Sequence, residues 1–294
     1  MIKAIEINGL SKFYGKARGI IELDLSVDEG EFFGFIGPNG AGKSTTIRTL
    51  LGLIHKSSGS AKLLGMDISE RPEKLLKDVG YLPSEAVFYP GMRVKDVIRF
   101  SAELRGKNCA QEAARLCERL ELDTGKKVEE LSFGNRKKLA IVCALQHAPR
   151  LCVLDEPTSG LDPLMQRAFF DILKERNEAG ATIFISSHIL SEVQRNCSRA
   201  AIIRSGRIIA CDSVEALAKT NARRVHIQGA ADVSALEGVR GLQTEGGSVS
   251  FLYCGDCNIL LRALAGQRIE DITISEPDLE EIFLHYYQEG GAQA

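Results

Sequence analysis

Residues 37–45 read GPNGAGKST, a run suited to gripping phosphate. It fits the pattern G-x-x-x-x-G-K-[ST] through Gly37, Gly42, Lys43 and Ser44, with Pro38, Asn39, Gly40, Ala41 and Thr45 completing the loop. Glycines let the backbone wrap closely round a triphosphate and turn its N–H groups inward. Lys43 has the reach for β- and γ-phosphates, and the Ser44 hydroxyl can ligate Mg²⁺. Glu31 to Ile36 reads as a buried strand before the loop. Lys43 to Leu53 reads as a helix after it, with its N-terminus facing the anion. The plainer alternative is a Gly-rich turn without a ligand.

Such a cradle needs a metal ligand and a group that activates water. Residues 151–156, LCVLDE, supply both. Asp155 ends an apolar strand, and at the carboxyl edge of an open α/β sheet it can hold Mg²⁺ directly or through water. Glu156 can serve as general base for the attacking water. Between the two runs, LSFGN at 131–135 precedes a helix expected from about Arg136. There the free Ser132 hydroxyl and the Gly134 amide make either a second anion site or a plain helix cap.

The elements that must position these groups follow from hydrophobic period. Alternation over Ile2–Ile7 and Ile21–Val27 predicts an antiparallel β layer leading into Phe32–Ile36. From Arg93 to Leu122 apolar residues recur at three and four, which predicts helix. Leu151–Leu154 and Thr182–Ser186 suit buried parallel strands, separated by helices at Lys137–Gln146, Leu164–Glu178 and Ile189–Asn196. Strands alternating with helices predict an α/β domain with a mostly parallel sheet. After Leu217 the pattern changes to a strand at Arg224–Ile227, a short helix at Val233–Glu237 and strands at Gly241–Thr244 and Ser248–Tyr253. A helix at Asn258–Ala265 and a strand at Glu270–Ile274 follow, giving a small α+β domain in split ferredoxin-like order. A last helix, Asp278–Tyr287, follows Ser275 as cap and Pro277 in its first turn.

Composition sets limits. The chain has 294 residues, 44% of them hydrophobic, and a formal charge of −2, so nothing points to a polyanion partner. No apolar run approaches the roughly 20 residues of a membrane-spanning helix, and MIKAIEINGL lacks the make-up of a secretory signal. A soluble, cytosolic protein is expected, with any membrane association made through a partner. Its eight cysteines should then be reduced. Cys254 and Cys257 form a lone C-x-x-C, for which ordinary thiols are weighed against zinc or redox use. Cys143 and Cys152 lie in apolar runs and are expected in the core.

The order GPNGAGKST, LSFGN, LCVLDEP, SGLD and SSH resembles the nucleotide-binding subunit of ABC transporters over residues 1 to about 218. Residues 37–45 match its Walker A motif and 151–156 its Walker B. Residues 131–135 look like the signature, 159–162 like the D-loop, and His188 like the switch histidine. Tyr14, or its neighbour Phe13, resembles the aromatic residue that stacks on adenine.

The resemblance implies a P-loop NTPase core spanning 1–218, with a helical subdomain at about 88–140 and an accessory domain at 219–294. It implies an ATPase with ATP and Mg²⁺, working as a homodimer or paired with a second ATPase subunit. Ser132 and Gly134 would touch the γ-phosphate in trans, His188 in cis, and Asp162 would join the two sites. A polytopic membrane permease is the expected partner, received beside Ser84 to Met92 with Phe88 and Tyr89, or else those aromatics pack the helical subdomain. The chain would sit on the inner face of the cell membrane through that permease. Residues 276–283, EPDLEEIF, resemble the tail of exporter ATPases for drug, lipid or peptide substrates.

The sequence departs from the family at two places. Phe133 replaces the first glycine of LSGGQ and Asn135 its Gln. Ser84 stands where the family has a Gln that helps to ligate Mg²⁺. Ser84 or Glu85 could present oxygen to a hard cation, or the loop could have no metal role. Among rival classes, an ABC ATPase acting on ribosomes or DNA lacks support from a second cassette, sustained heptads or basic excess. A P-loop kinase or GTPase lacks an N-K-x-D segment. A catalytically silent regulator does not fit the presence of Lys43, Asp155, Glu156 and His188.

Overall fold

A strand that is apolar along its whole length must bury both faces, so it needs a core on each side of its sheet. The computed structural model, which describes residues 3–15, 17–70, 72–218, 222–233 and 236–275, has this arrangement. In chain order its elements begin with β1 (Lys3–Tyr14), β2 (Ala17–Asp28), β3 (Phe32–Ile36), α1 (Lys43–Leu50), β4 (Ser58–Leu63), β5 (Met66–Asp67), α2 (Pro72–Leu75) and β6 (Val79–Leu82). There follow α3 (Val94–Leu104), α4 (Ala110–Arg119), α5 (Phe133–Leu145), β7 (Leu151–Asp155), α6 (Pro163–Glu178), β8 (Thr182–Ser187), α7 (Leu190–Asn196), β9 (Arg199–Arg204) and β10 (Arg207–Ser213). The chain continues through α8 (Val214–Ala218), β11 (Ala222–Ala230), β12 (Val239–Glu245), β13 (Ser248–Cys254), α9 (Cys257–Leu264) and β14 (Arg268–Ser275).

The described chain divides into two compact units, Met1–Asp212 and Ser213–Ala294. In the first, six strands in the order β10-β9-β3-β8-β7-β6 form the central sheet. Its β9-β3, β3-β8, β8-β7 and β7-β6 pairs are parallel. Side chains alternate between two cores with period two. Cys152, Leu154, Ile183 and Ile185 face one core, shared with α3 to α6. Leu151, Val153, Phe33, Phe35 and Phe184 face the other, shared with α1 and the antiparallel layer. That layer is a second sheet, β2-β1-β4-β5, whose paired strands run antiparallel. The α/β architecture read from hydrophobic period is therefore the observed one.

Several element boundaries move. The expected helix to Leu53 ends at Leu50. The helical stretch Arg93–Leu122 is two helices, α3 and α4, broken at Gly106, whose φ is +63°. Helix α5 starts at Phe133, not near Arg136, because Ser132 caps it. The described cysteines carry free thiols, with Cys152 fully buried and Cys143 partly buried against the same core.

The second unit holds a sheet in the order β12-β13-β11-β14 with antiparallel pairs throughout. Val225, Ile227, Phe251, Tyr253, Leu260 and Leu264 form its core beneath α9. Strand order agrees with the split ferredoxin-like reading, and the short helix expected at Val233–Glu237 includes residues 234–235, which lie outside the described residues. The helix expected at Asp278–Tyr287, its Pro277, and the 276–283 tail also lie outside the described residues.

One core residue makes stability depend on pH. His147 is 4% exposed at the end of α5. Burial, with Arg105 and Lys107 nearby, pulls its imidazole down from 6.5 to about 4. The unfolded chain therefore takes up the proton first as pH falls, so this contribution is intact above about 6.5 and is lost through about 4. The expected loss is about 2–3 kcal/mol by pH 4. Urea midpoints at pH 7 and pH 4 should diverge less for His147→Gln than for the natural chain. An equal divergence would assign the acid sensitivity to other groups.

Candidate functional site: a phosphate cradle and its acidic partner

Parallel register brings three strand ends level. Ile36 pairs with Ser187, and Asp155 with Ser186. Gly37, Glu156 and His188, each one residue beyond its strand, therefore emerge at one carboxyl edge, where open α/β sheets bind ligands.

The loop after β3 needs its glycines. A Cβ on Gly37 would lie 2.6 Å from the Ile203 carbonyl oxygen. Gly42 caps α1 in the left-handed region, at φ +113°. Pro38, Asn39, Gly40, Gly42, Lys43, Ser44 and Thr45 line a cavity of about 280 Å³ together with Gly19, Ser84 and Glu156. Two predicted cradle residues act from beneath it. Ala41 is buried in the apolar core, and Gly37 gives its carbonyl to Lys43. The buried Lys43 ammonium donates to Gly37 O (2.5 Å) and Pro38 O (3.2 Å). It also lies 3.0 Å from Glu156 Oε1.

The acids differ in their surroundings. Asp155 is fully buried; its Oδ1 accepts from Ser186 Oγ (2.6 Å), while Oδ2 has no partner. A buried carboxylate oxygen left bare in this way fits a hard cation, and Ser44 and Ser84, which line the cavity, carry hydroxyls of the kind such an ion accepts. Among the described residues, no cluster of three or more His, Cys, Asp or Glu could hold a metal by itself. This includes Cys254 and Cys257.

Glu156 adopts φ +46°, an uncommon conformation for a residue with a side chain. Its N–H donates to both Ser186 O and Ser186 Oγ at 3.2 Å. Its Oε2 meets His188 Nδ1 at 2.7 Å while Oε1 meets Lys43. The carboxylate is thus held between a cation and an imidazole above the cradle.

The remaining predicted residues stand apart from this cluster. Ser132 Oγ accepts from Asn135 N–H (3.3 Å) and caps α5, which is one of the two readings of this segment. Gly134 packs against the Gly160 carbonyl, and the Phe133 ring lies against Gly160 itself. The bulk of Phe133 is accommodated because residue 160 has no side chain. Asp162 caps α6, accepting from Leu164 and Met165 N–H at 3.0 Å each. Tyr14 and Phe13 are both exposed at the end of β1, and the Tyr14 ring approaches Gly19 at the cavity wall. Ser84, and not Glu85, lines the cavity with Lys43; Glu85 lines the neighbouring cleft.

Two groups were missed from sequence. Glu192 is buried, its carboxyl pushed up by desolvation, with Ser187 Oγ donating to it at 2.9 Å. Lys137, 2% exposed, donates to three carbonyls: Pro83 (3.2 Å), Ser84 (3.0 Å) and Glu156 (2.9 Å). Burial lowers its ammonium to about 8, with Asp155 and Glu156 opposing that shift. The signal for Lys137 was available: residues 137, 140, 141 and 144 form one stripe of α5, and Ala140, Ile141 and Ala144 are buried.

Cradle, acidic strand end and doubly wound sheet define a P-loop nucleoside triphosphatase. The family profile described as "ABC transporter" matches residues 20–159. The bacitracin transport ATP-binding protein BcrA of Bacillus licheniformis is 36% identical over 235 residues, 78% of this chain and 76% of its own. The probable multidrug ABC transporter ATP-binding protein YbhF of Escherichia coli is 35% identical over 211 residues, 70% of this chain but 36% of that longer protein. A solved structure described as the ATP-binding subunit of an ABC transporter superposes with a TM-score of 0.69. It is 31% identical and covers 73% of this chain and 91% of its own. The chain belongs to the ATP-binding subunits of ABC transporters. It binds and hydrolyses ATP to drive transport.

Proposed function

We propose that this subunit pairs with a second ATPase subunit around ATP and powers the export of a drug-like, lipid or peptide substrate through a separate polytopic permease. The observation that carries the catalytic part is the Glu156 carboxylate, fixed between Lys43 and His188 at the mouth of the cradle. Residues 37–45 bind the triphosphate, with Lys43 on the β- and γ-phosphates. Glu156 takes the proton of the attacking water, and His188 orients that carboxylate. Ser44, Asp155 and Ser84 would hold Mg²⁺, which would supply charge neutralisation at the phosphates. Tyr14 stacks on adenine. Ser132, Gly134 and Asp162 serve the paired subunit, where a capped helix N-terminus presents donors to an anion. Residues 1–218 form the ATP-binding domain and 219–294 the accessory domain.

The bacitracin transport and probable multidrug transporter ATP-binding proteins among the relatives support a drug-like substrate. No helix among the described residues is long and apolar enough to cross a membrane. A cleft of about 490 Å³ between Ser84–Pro90 and α5 supports docking of a permease segment. Phe88 and Met92 pack on the core, leaving Tyr89, 71% exposed, and Val87 to meet a partner.

The test is expression of the full chain in its native host, where its permease would be present. Val87→Asp with Tyr89→Asp should lower the membrane-bound fraction several-fold in sedimentation while ATP binding in solution is unchanged. A membrane-bound fraction equal to that of the natural chain would remove this cleft from the permease contact.

A further inference from the structure

We propose that Lys137 is a positioning residue for the hydrolytic step, setting the backbone of Glu156 and the loop that carries Ser84. This rests on the reading of Glu156 as general base.

A lysine ammonium has three N–H donors, and each has a carbonyl here: Pro83, Ser84 and Glu156. None of the three acceptors is on its own helix. The left-handed backbone at Glu156 persists only if its surroundings over-determine it. Its N–H is tied to Ser186 and its carbonyl to Lys137, so the two peptide planes that aim its side chain are both held. Rotation of the second plane would swing the carboxylate away from Lys43 and His188. The same ammonium fixes the Ser84 carbonyl, and Ser84 lines the cavity. Desolvation works against a charge at this place, and a methionine would fill the volume with less cost. Retaining the charge makes sense if its directed hydrogen bonds matter more than packing.

Lys137→Met removes all three bonds at nearly constant shape, and Lys137→Gln keeps a neutral donor on a shorter arm. Both are made in the full chain, beside Glu156→Gln and the double variant Lys137→Met with Glu156→Gln. Turnover, KM for ATP, affinity for a nonhydrolysable ATP analogue and Tm are measured on each. Lys137→Met should lose about ten- to hundredfold in kcat, the scale of a small misplacement of a reacting group. KM and analogue affinity should stay within about threefold, since the cradle contacts are untouched. Lys137→Gln should fall between. The double variant should lose clearly less than the product of the two single losses, because much of the effect of Lys137 runs through Glu156.

Normal kcat in a folded Lys137→Met or Lys137→Gln protein overturns the proposal. So does a further full loss in the double variant. If both single variants unfold or lose the analogue, Lys137 is a structural strut and the proposal is likewise overturned. Full turnover in Glu156→Gln removes the base reading and this inference with it. Slow Glu156→Gln with normal Lys137 variants removes the inference alone.

Discussion

Glu156→Gln should bind ATP and turn it over about 10²- to 10⁴-fold more slowly, the range for loss of a positioned general base. The substitution keeps the side chain's shape and its contact with His188, whose Nδ1 lies 2.7 Å from Oε2. It removes the negative charge beside Lys43 and the ability to take a proton. Binding should hold or strengthen, because Lys43, 3.0 Å from Oε1, no longer faces a carboxylate that competes with phosphate. Under the pairing proposal the uncleaved nucleotide should hold two subunits together, giving a dimer in gel filtration with ATP and a monomer without it. Phosphate release at the natural rate would falsify the assignment of Glu156 as base. A slow enzyme that stays monomeric with ATP would retain the base and reject the pairing.

Lys43→Ala should weaken ATP binding by about 30-fold or more. Truncating one member of a buried, hydrogen-bonded charge pair costs about 2–5 kcal/mol. Here the loss is compounded, since the ammonium also satisfies the carbonyls of Gly37 and Pro38. Calorimetric titration with ATP measures it directly. Turnover at accessible ATP concentrations should fall below detection. Unchanged affinity would mean that the triphosphate does not lie on this loop. The two substitutions separate binding from chemistry: Lys43→Ala loses both, and Glu156→Gln loses the second.

The accommodation of Phe133 bears on how far family knowledge transfers to this chain. The Phe133 ring rests against Gly160 on one side and is 49% exposed on the other. The segments at 131–135 and 159–162 are therefore packed on each other. A substitution in either should be expected to disturb both.

Some of this protein is determined by sequence alone, because the deciding forces act within a turn or along a single strand. The glycine spacing of residues 37–45, the apolar runs ending at Ile36, Asp155 and Ser187, and the Ser and Asp caps are local chemistry. The cradle, the acidic pair and the α/β class were therefore legible. Even so, local reasoning placed the start of α5 three residues late, because it left the Ser132 cap as one of two open readings.

What tertiary structure alone decided is which groups meet. The contacts of Glu156 with Lys43 and His188 depend on the parallel register of β3, β8 and β7. No spacing along the chain encodes that register. Lys137 lies on an apolar helix stripe, where a cation is a liability until three carbonyls from two distant loops close round it. Those carbonyls arrive by folding, and only there does the ammonium recover the hydrogen bonds it gives up on leaving water.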